Sequence, residues 1–310
     1  MQIISAQQIR SVLDWHGVLD ALHRGHSGSR PIADGYFIGD SSFGLFSRGV
    51  ILPGKGAGVK IASIHPANGA ADPPLPTEQA AFLVMDERTK GLVAMLDGPE
   101  ITRWKTAADS ALAARILSRE NSEVLLVLGA GPIAAALTDA YLHIRPSIRE
   151  VLLWNRTASR LEGARSALAA RNIRVRVVDD LDAAVARADI IAAATSTSTP
   201  VIRGECVRPG THVDLVGGYR PDMQEADCTV YRDARIFVDD RQNAAQSGDI
   251  LTPLQAGVIG EGDIEGDLFD LCRMPAFHRS AGDRTVYKNA GGAYLDLIVS
   301  QYVVEQLTSR

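Results

Sequence analysis

Val124–Ala134 reads VLLVLGAGPIA, and the interpretation of this stretch decides the architecture of the chain. The apolar run Val124–Leu128 suits a strand covered on both faces, and the amphipathic segment Ile133–His143 behind it suits a helix. Between them stands Gly129-Ala130-Gly131-Pro132-Ile133-Ala134. A glycine turn that joins a strand to a helix is the context in which G-x-G-x-x-A points to a dinucleotide. Gly129 makes the tight turn, Gly131 lets main chain approach a pyrophosphate, and Ala134 lets the helix pack close to the strand. The helix N-terminus adds N–H groups without intrahelical partners and a partial positive charge. An ordinary βα turn of some other parallel sheet is the competing reading.

Downstream, strand and helix patterns alternate. Glu150–Trp154, Ile173–Val178, Ile190–Thr195, Thr211–Gly217 and Arg235–Asp239 read as strands, with helices over Ala158–Ala170 and Asp182–Arg187. Regular βα alternation with short connections implies an α/β fold with a Rossmann-type, doubly wound parallel sheet. After the second strand of such a sheet a carboxylate usually takes the ribose hydroxyls of NAD, whereas arginine accommodates the extra phosphate of NADP. Here the strand ends Trp154-Asn155-Arg156-Thr157-Ala158-Ser159-Arg160, with no carboxylate. Asn155, Arg156, Thr157 and Arg160 therefore predict NADPH as cofactor, with NADH possible if Arg156 instead stacks on the adenine. Thr195 and Ser196 are expected near the nicotinamide ribose, although a plain strand-end turn uses the same residue types, and Gly217 is expected among the cofactor-binding residues.

Upstream, Ala6–Leu22 has a helical pattern, and Gly44–Leu52 and Gly58–Ile64 read as strands. Lys60 inside the second of these is costly unless it is paired or reaches a ligand; an edge strand with Lys60 in water is the alternative. His65-Pro66-Ala67-Asn68 opens a Gly/Ala/Pro-rich loop to Pro76, long enough for a lid, a substrate loop or a plain surface connection. Ala81–Asp86 and Gly91–Leu96 pair around a polar turn at Glu87–Lys90. Asp97-Gly98-Pro99 leads into a helix over Glu100–Arg119, whose Ile101, Trp104, Ala108, Leu112 and Ile116 share a core-facing side. Lys105 near its start opposes the helix dipole, so an anionic partner is a natural compensation and a solvated surface lysine the alternative. The expected organisation is a smaller α+β domain over 1–119, a dinucleotide-binding domain over 120–290, and a helical tail over 291–310 that could return to the first domain.

A length of 310 residues suits about two domains, and 46% apolar and 22% charged residues are the composition of a globular protein. The net charge of -5 with scattered basic residues gives no footprint for nucleic acid or anionic membrane. No apolar run is long enough to span a bilayer and nothing suggests export, so a cytoplasmic protein is expected. Cys206, Cys228 and Cys272 lie far apart and read as reduced thiols, with no metal cluster.

Taken together, Gly58-Val59-Lys60-Ile61, Leu96-Asp97-Gly98, Ile101-Thr102, Lys105-Thr106-Ala107-Ala108, the Gly129 turn, Thr195-Ser196-Thr197 through Pro200, Gly217-Gly218 with Pro221, and Gly291 followed by Asp296 resemble the ornithine cyclodeaminase/mu-crystallin family. The resemblance covers nearly the whole chain in the family's order. It implies a homodimer whose first domain, completed by the C-terminal helix, binds substrate and makes the subunit contact. It also implies that basic side chains hold a substrate carboxylate: Lys60, with Arg30 as the upstream arginine and Arg48 as its substitute. Lys105 stands where the family usually has arginine, which keeps the charge and loses the two-pronged grip. Tyr219 stands where ornithine cyclodeaminases have an aspartate, and tyrosine has no ionised carboxylate near neutral pH, so cyclodeamination is disfavoured. Trp104–Asp109, WKTAAD, is similar to Δ1-pyrroline-2-carboxylate reductases.

The implied activity is a ketimine reductase, an oxidoreductase acting on C=N bonds that forms L-proline and also converts Δ1-piperideine-2-carboxylate to L-pipecolate. The partner is then a small cyclic imino acid. Lys60, Lys105 and Arg30 anchor its carboxylate, and Arg48, Tyr219 and Asn68 line the pocket. His65 either donates or relays a proton or is a loop histidine that bonds the backbone. Open-chain amine dehydrogenation of the alanine-dehydrogenase or N-alkyl amino acid type, ornithine cyclodeamination, and a non-enzymatic ligand-binding role are the alternatives.

Overall fold

In the computed structural model, which describes every residue except Ser41, Pro74, Asn172 and Arg310, the chain divides into two units. Pro74 of the long loop is thus outside the described residues.

The first unit comprises Met1–Lys105 and Gly292–Arg310. Its six strands are β1 (Gln2–Ile4), β2 (Ile32–Gly39), β3 (Gly44–Leu52), β4 (Gly56–Ile64), β5 (Glu78–Met85) and β6 (Leu92–Asp97). They lie in the order β1-β6-β5-β4-β3-β2, with β1 parallel to β6 and all other neighbours antiparallel. The expected single helix over 6–22 is two, α1 (Ala6–Val12) and α2 (Trp15–His26). Leu13 is extended, and the Asp14 carboxylate accepts from the Gly17 N–H, so a cap restarts the helix where periodicity runs on. The C-terminal helix (Ala293–Thr308) returns to this unit and buries Tyr294, Leu295, Leu297 and Val299 against elements that include α2, β3, β4 and β5.

The second unit, Thr106–Gly291, is built on β7 (Val124–Leu128), the opening apolar run. The glycine turn leads into α4 (Pro132–Ile144), and the chain continues through β8 (Glu150–Trp154), α5 (Glu162–Ala169), β9 (Arg174–Val177), α6 (Leu181–Arg187), β10 (Ile190–Ala193) and β11 (His212–Leu215). Then follow β12 (Ala234–Val238), α7 (Arg241–Ala244), α8 (Gly248–Gln255), β13 (Ile264–Asp267), α9 (Leu268–Arg273) and β14 (Arg284–Lys288). All eight strands are parallel, in the order β13-β12-β14-β11-β10-β7-β8-β9. The strand order reverses between β7 and β10, and the crevice at such a reversal is where an open α/β sheet binds ligands.

The helix α3 (Gly98–Leu117) passes from one unit to the other. The division falls at Lys105/Thr106, inside this helix, and not near Arg119. The cause is burial of its second half in the second unit: Asn289 Nδ2 donates to the Thr106 carbonyl, Tyr287 Oη to Asp109, and Ser110 Oγ to Asp214. From Trp104 to Ala114 the helix is buried all round and not on one face, which its alanines at 107, 108, 111, 113 and 114 permit.

Candidate active site

In the second unit, a cleft on the carboxyl edge of the sheet is lined by Gly129, Ala130, Gly131, Asn155, Arg156, Thr157, Arg160, Thr195 and Ser196, all expected from sequence. Trp154, Ala194, Thr197 and Val201, which were not among the predicted site residues, complete it. Gly129 has φ +117°, and a Cβ there would stand 2.5 Å from the Ala194 carbonyl oxygen, so the turn requires glycine twice over. At Gly131 a Cβ would meet nothing within 4 Å. That open space lies at the N-cap of α4, where no side chain caps the helix and Pro132 occupies the first turn. The free N–H groups of that turn and the space before them fit a pyrophosphate. Pro132 and Ile133 do not line the cleft; they begin the helix that serves it.

Beyond β8, Asn155 Nδ2 donates to the Thr157 carbonyl at 2.8 Å and folds this loop around the end of the strand. The Arg156 and Arg160 side chains are exposed and form no hydrogen bond or ion pair among the described residues. Two unpaired guanidinium groups therefore face the cleft where the adenosine ribose of a dinucleotide belongs. Gly217, also expected here, does not line the cleft. A Cβ on it would collide with the Thr195 carbonyl and lie 2.6 Å from Glu225 Oε1. Its glycine serves close packing against protein. Tyr219 follows as a 58% exposed residue of the same loop.

In the first unit, β4 is flanked by β3 and β5, so Lys60 is not on an edge. Its side chain is 12% exposed, Nζ donates to Thr102 Oγ1 at 2.8 Å, and Asp296 Oδ1 lies 3.8 Å away. Lys105, 8% exposed, places Nζ 3.9 Å from Asp296 Oδ2, which excludes the solvated-lysine reading. Asp296, in the first turn of the C-terminal helix, thus receives two lysines, and its Oδ1 is buried without a hydrogen-bond partner. Arg48 stands directly across from Lys60 in the β3/β4 register, beside Gly35 of β2. Arg30 is exposed and precedes β2, beyond the Ile32–Ile51 pair, so the register favours Arg48 over Arg30 as the neighbour of Lys60.

His65 Nδ1 lies 2.7 Å from the Ser42 carbonyl oxygen. That contact needs a proton on Nδ1, so the neutral ring offers only an acceptor at Nε2. Asn68 Nδ2 donates to the Pro76 carbonyl at 2.9 Å. His65 thus ties its loop to the β2–β3 turn, a loop histidine bonding main chain as the alternative reading had it, and Asn68 closes the loop on itself. The most informative residues missing from the predicted site are Glu225 and Asp296, the latter noted in sequence only as part of the family pattern. Asp296 had a signal, a carboxylate in an apolar helix, which is expensive without a cationic partner.

Residues 52–310 match the sequence profile of the ornithine cyclodeaminase/mu-crystallin family. The chain is 38% identical over 304 residues to a Δ1-pyrroline-2-carboxylate reductase of Paracoccus denitrificans, covering 97% of this chain and 96% of that one. It is 34% identical over 244 residues to the mouse ketimine reductase mu-crystallin, covering 78% and 74%. Among solved structures, the Thermococcus litoralis Δ1-pyrroline-2-carboxylate reductase in complex with NADH and L-proline superposes with a TM-score of 0.92. Its sequence is 24% identical, over 100% of this chain and 98% of that one, and it supports the fold.

Proposed function

This chain belongs to the ornithine cyclodeaminase/mu-crystallin family, and on that premise we propose that it is an NADPH-preferring reductase of cyclic ketimines. Its substrate is Δ1-pyrroline-2-carboxylate, reduced to L-proline, with Δ1-piperideine-2-carboxylate as a second substrate. The observation that carries the proposal is the grouping of Lys60 and Lys105 on Asp296 with Arg48 across the strand from Lys60. These basic groups hold the substrate carboxylate through charge-assisted hydrogen bonds and so fix which face of the ring is presented.

When bound, the nicotinamide supplies hydride to the imine carbon. The N–H groups at the start of α4 receive the pyrophosphate, and Arg156 with Thr157 receives the 2′-phosphate that distinguishes NADP. Tyr219, with no carboxylate to work on an amino group, disfavours ornithine cyclodeamination. We also propose a homodimer formed through the first unit, supported by β2, whose eight residues are all exposed and include Ile32, Tyr36, Phe37 and Ile38. A cytoplasmic location goes with this reading, supported by three free cysteines. Among the described residues no helix is long and apolar enough to cross a membrane.

The deciding assay follows NADPH oxidation with each imine, with NADH and L-ornithine in parallel. Imine-dependent oxidation favouring NADPH, and a preference lowered at least tenfold in Arg156→Ala, is the expected result. Silence with both imines overturns the proposal and turns attention to open-chain keto acids with amines.

A further inference from the structure

The loops after β10 and β11 are tied together by a single buried carboxylate. Glu225, fully buried, accepts from the Thr195 N–H at 2.6 Å and the Thr195 hydroxyl at 2.7 Å on Oε1, and from the Gly217 N–H at 2.6 Å on Oε2. Its own N–H donates to Asp249 Oδ1 at 2.7 Å, and Asp249 Oδ2 receives Lys288 Nζ at 3.0 Å, with Asp249 and Lys288 both fully buried. The chain of contacts runs from the end of β14, through α8, to the ends of β10 and β11.

The two glycines of the Gly217-Gly218 pair make room for this assembly. A Cβ at Gly217 would crowd Glu225, and one at Gly218 would collide with Asp249 Oδ2. A lone packing role does not call for three donors on one buried carboxylate at the rim of a ligand cleft.

The position matters because of the strand order. With the adenosine ribose at the end of β8 and the pyrophosphate at the end of β7, the remaining half of a dinucleotide lies over the ends of β10 and β11. Thr195 lines the cleft there. The two main-chain N–H groups, one on each Glu225 oxygen, make that carboxylate the acceptor, so the Thr195 hydroxyl spends its proton on Glu225. Its remaining lone pairs are then acceptors only.

We propose that Glu225 is a positioning residue for the nicotinamide half of the cofactor, holding the Thr195 hydroxyl as a fixed hydrogen-bond acceptor and the Gly217 loop beside it. The proposal rests on the dinucleotide reading of the cleft. The matching donor on the ligand is an amide N–H or a ribose hydroxyl.

The test titrates the full-length protein with NADPH and NADH, and with 2′-phospho-ADP and ADP, which lack the nicotinamide and its ribose, reading protein fluorescence. Glu225→Gln puts an amide where one of the donors needs an acceptor, and Thr195→Val removes the hydroxyl itself. Each is expected to weaken the preferred dinucleotide at least fivefold and its nicotinamide-free counterpart less than twofold. The double variant is expected to be no weaker than the worse single one, because both act through the same contact. Equal weakening of both ligand types, or unchanged dinucleotide affinity with a lowered Tm, overturns the positioning role. Thr195→Val, which leaves the buried carboxylate in place, decides the matter if Glu225→Gln does not fold. A wild-type protein that binds neither dinucleotide overturns the reading of the cleft, an outcome distinguishable from failure of the variants alone.

Discussion

Burial rewrites the chemistry of Asp214, a residue of β11 that none of the sequence motifs includes. It sits fully buried on β11, accepting from Ser110 Oγ and Tyr141 Oη at 3.0 Å each. Burial pushes its carboxyl up to about 7, more than the two hydrogen bonds lower it. A folded-state value above the unfolded one means that this group's stabilising contribution is complete below about pH 4 and is lost as pH rises through 7. Wild type is therefore expected to lose about 3 kcal/mol relative to Asp214→Asn between pH 5 and pH 8, about two units of pH at 1.36 kcal/mol each. Parallel denaturant titrations measure this, and parallel curves contradict it. Lys60 raises the same issue for function: its charge was legible, and its partners Thr102 and Asp296, 42 and 236 residues away in the chain, were not. Lys60→Ala is expected to raise the KM for the imine about 10- to 100-fold, the scale of a lost hydrogen bond to a charged group. Unchanged KM removes Lys60 from the site.

At the scale of elements, strong periodicity was readable and interruptions were not. The β7–turn–α4 unit followed from an apolar run, two glycines and an amphipathic helix, because each feature is local. The break between α1 and α2 was invisible because Leu13 continues the apolar spacing while Asp14 caps a new helix. Asp14→Ala is expected to cost about 1 kcal/mol, and a Tm measured by circular dichroism checks it. β2 escaped notice for a different reason. Its residues are exposed on both faces, so no alternation marks it in IADGYFIG. β14 sits in the interior of the second sheet, where both faces are covered, yet its sequence RTVYK carries charges at its two ends. Lys288 is tolerated there because Asp249 meets it.

At the scale of the whole molecule, the first unit is discontinuous in sequence and the second is one stretch. The proposed homodimer is tested by light scattering: wild type is expected at twice the chain mass, and Tyr36→Lys combined with Ile38→Glu at the monomer mass. A monomeric wild type contradicts it. From sequence alone came the parallel sheet, the glycine turn with its arginines beyond β8, the return of the C-terminal helix, and the lysines of the first unit. The sheet, the turn and the lysines are local patterns, encoded by spacing and by residue type, whereas the return of the C-terminal helix came with the family resemblance. Tertiary structure decided what those residues meet: Asp296 between two lysines, Arg48 across the register from Lys60, His65 tied to the β2–β3 turn, Asn68 closing its loop, and Glu225 tying Thr195 to Gly217. The physical reason is that a charge is affordable in a buried place only through a partner, and that partner is set by the register of strands and the approach of distant helices, which no local spacing records.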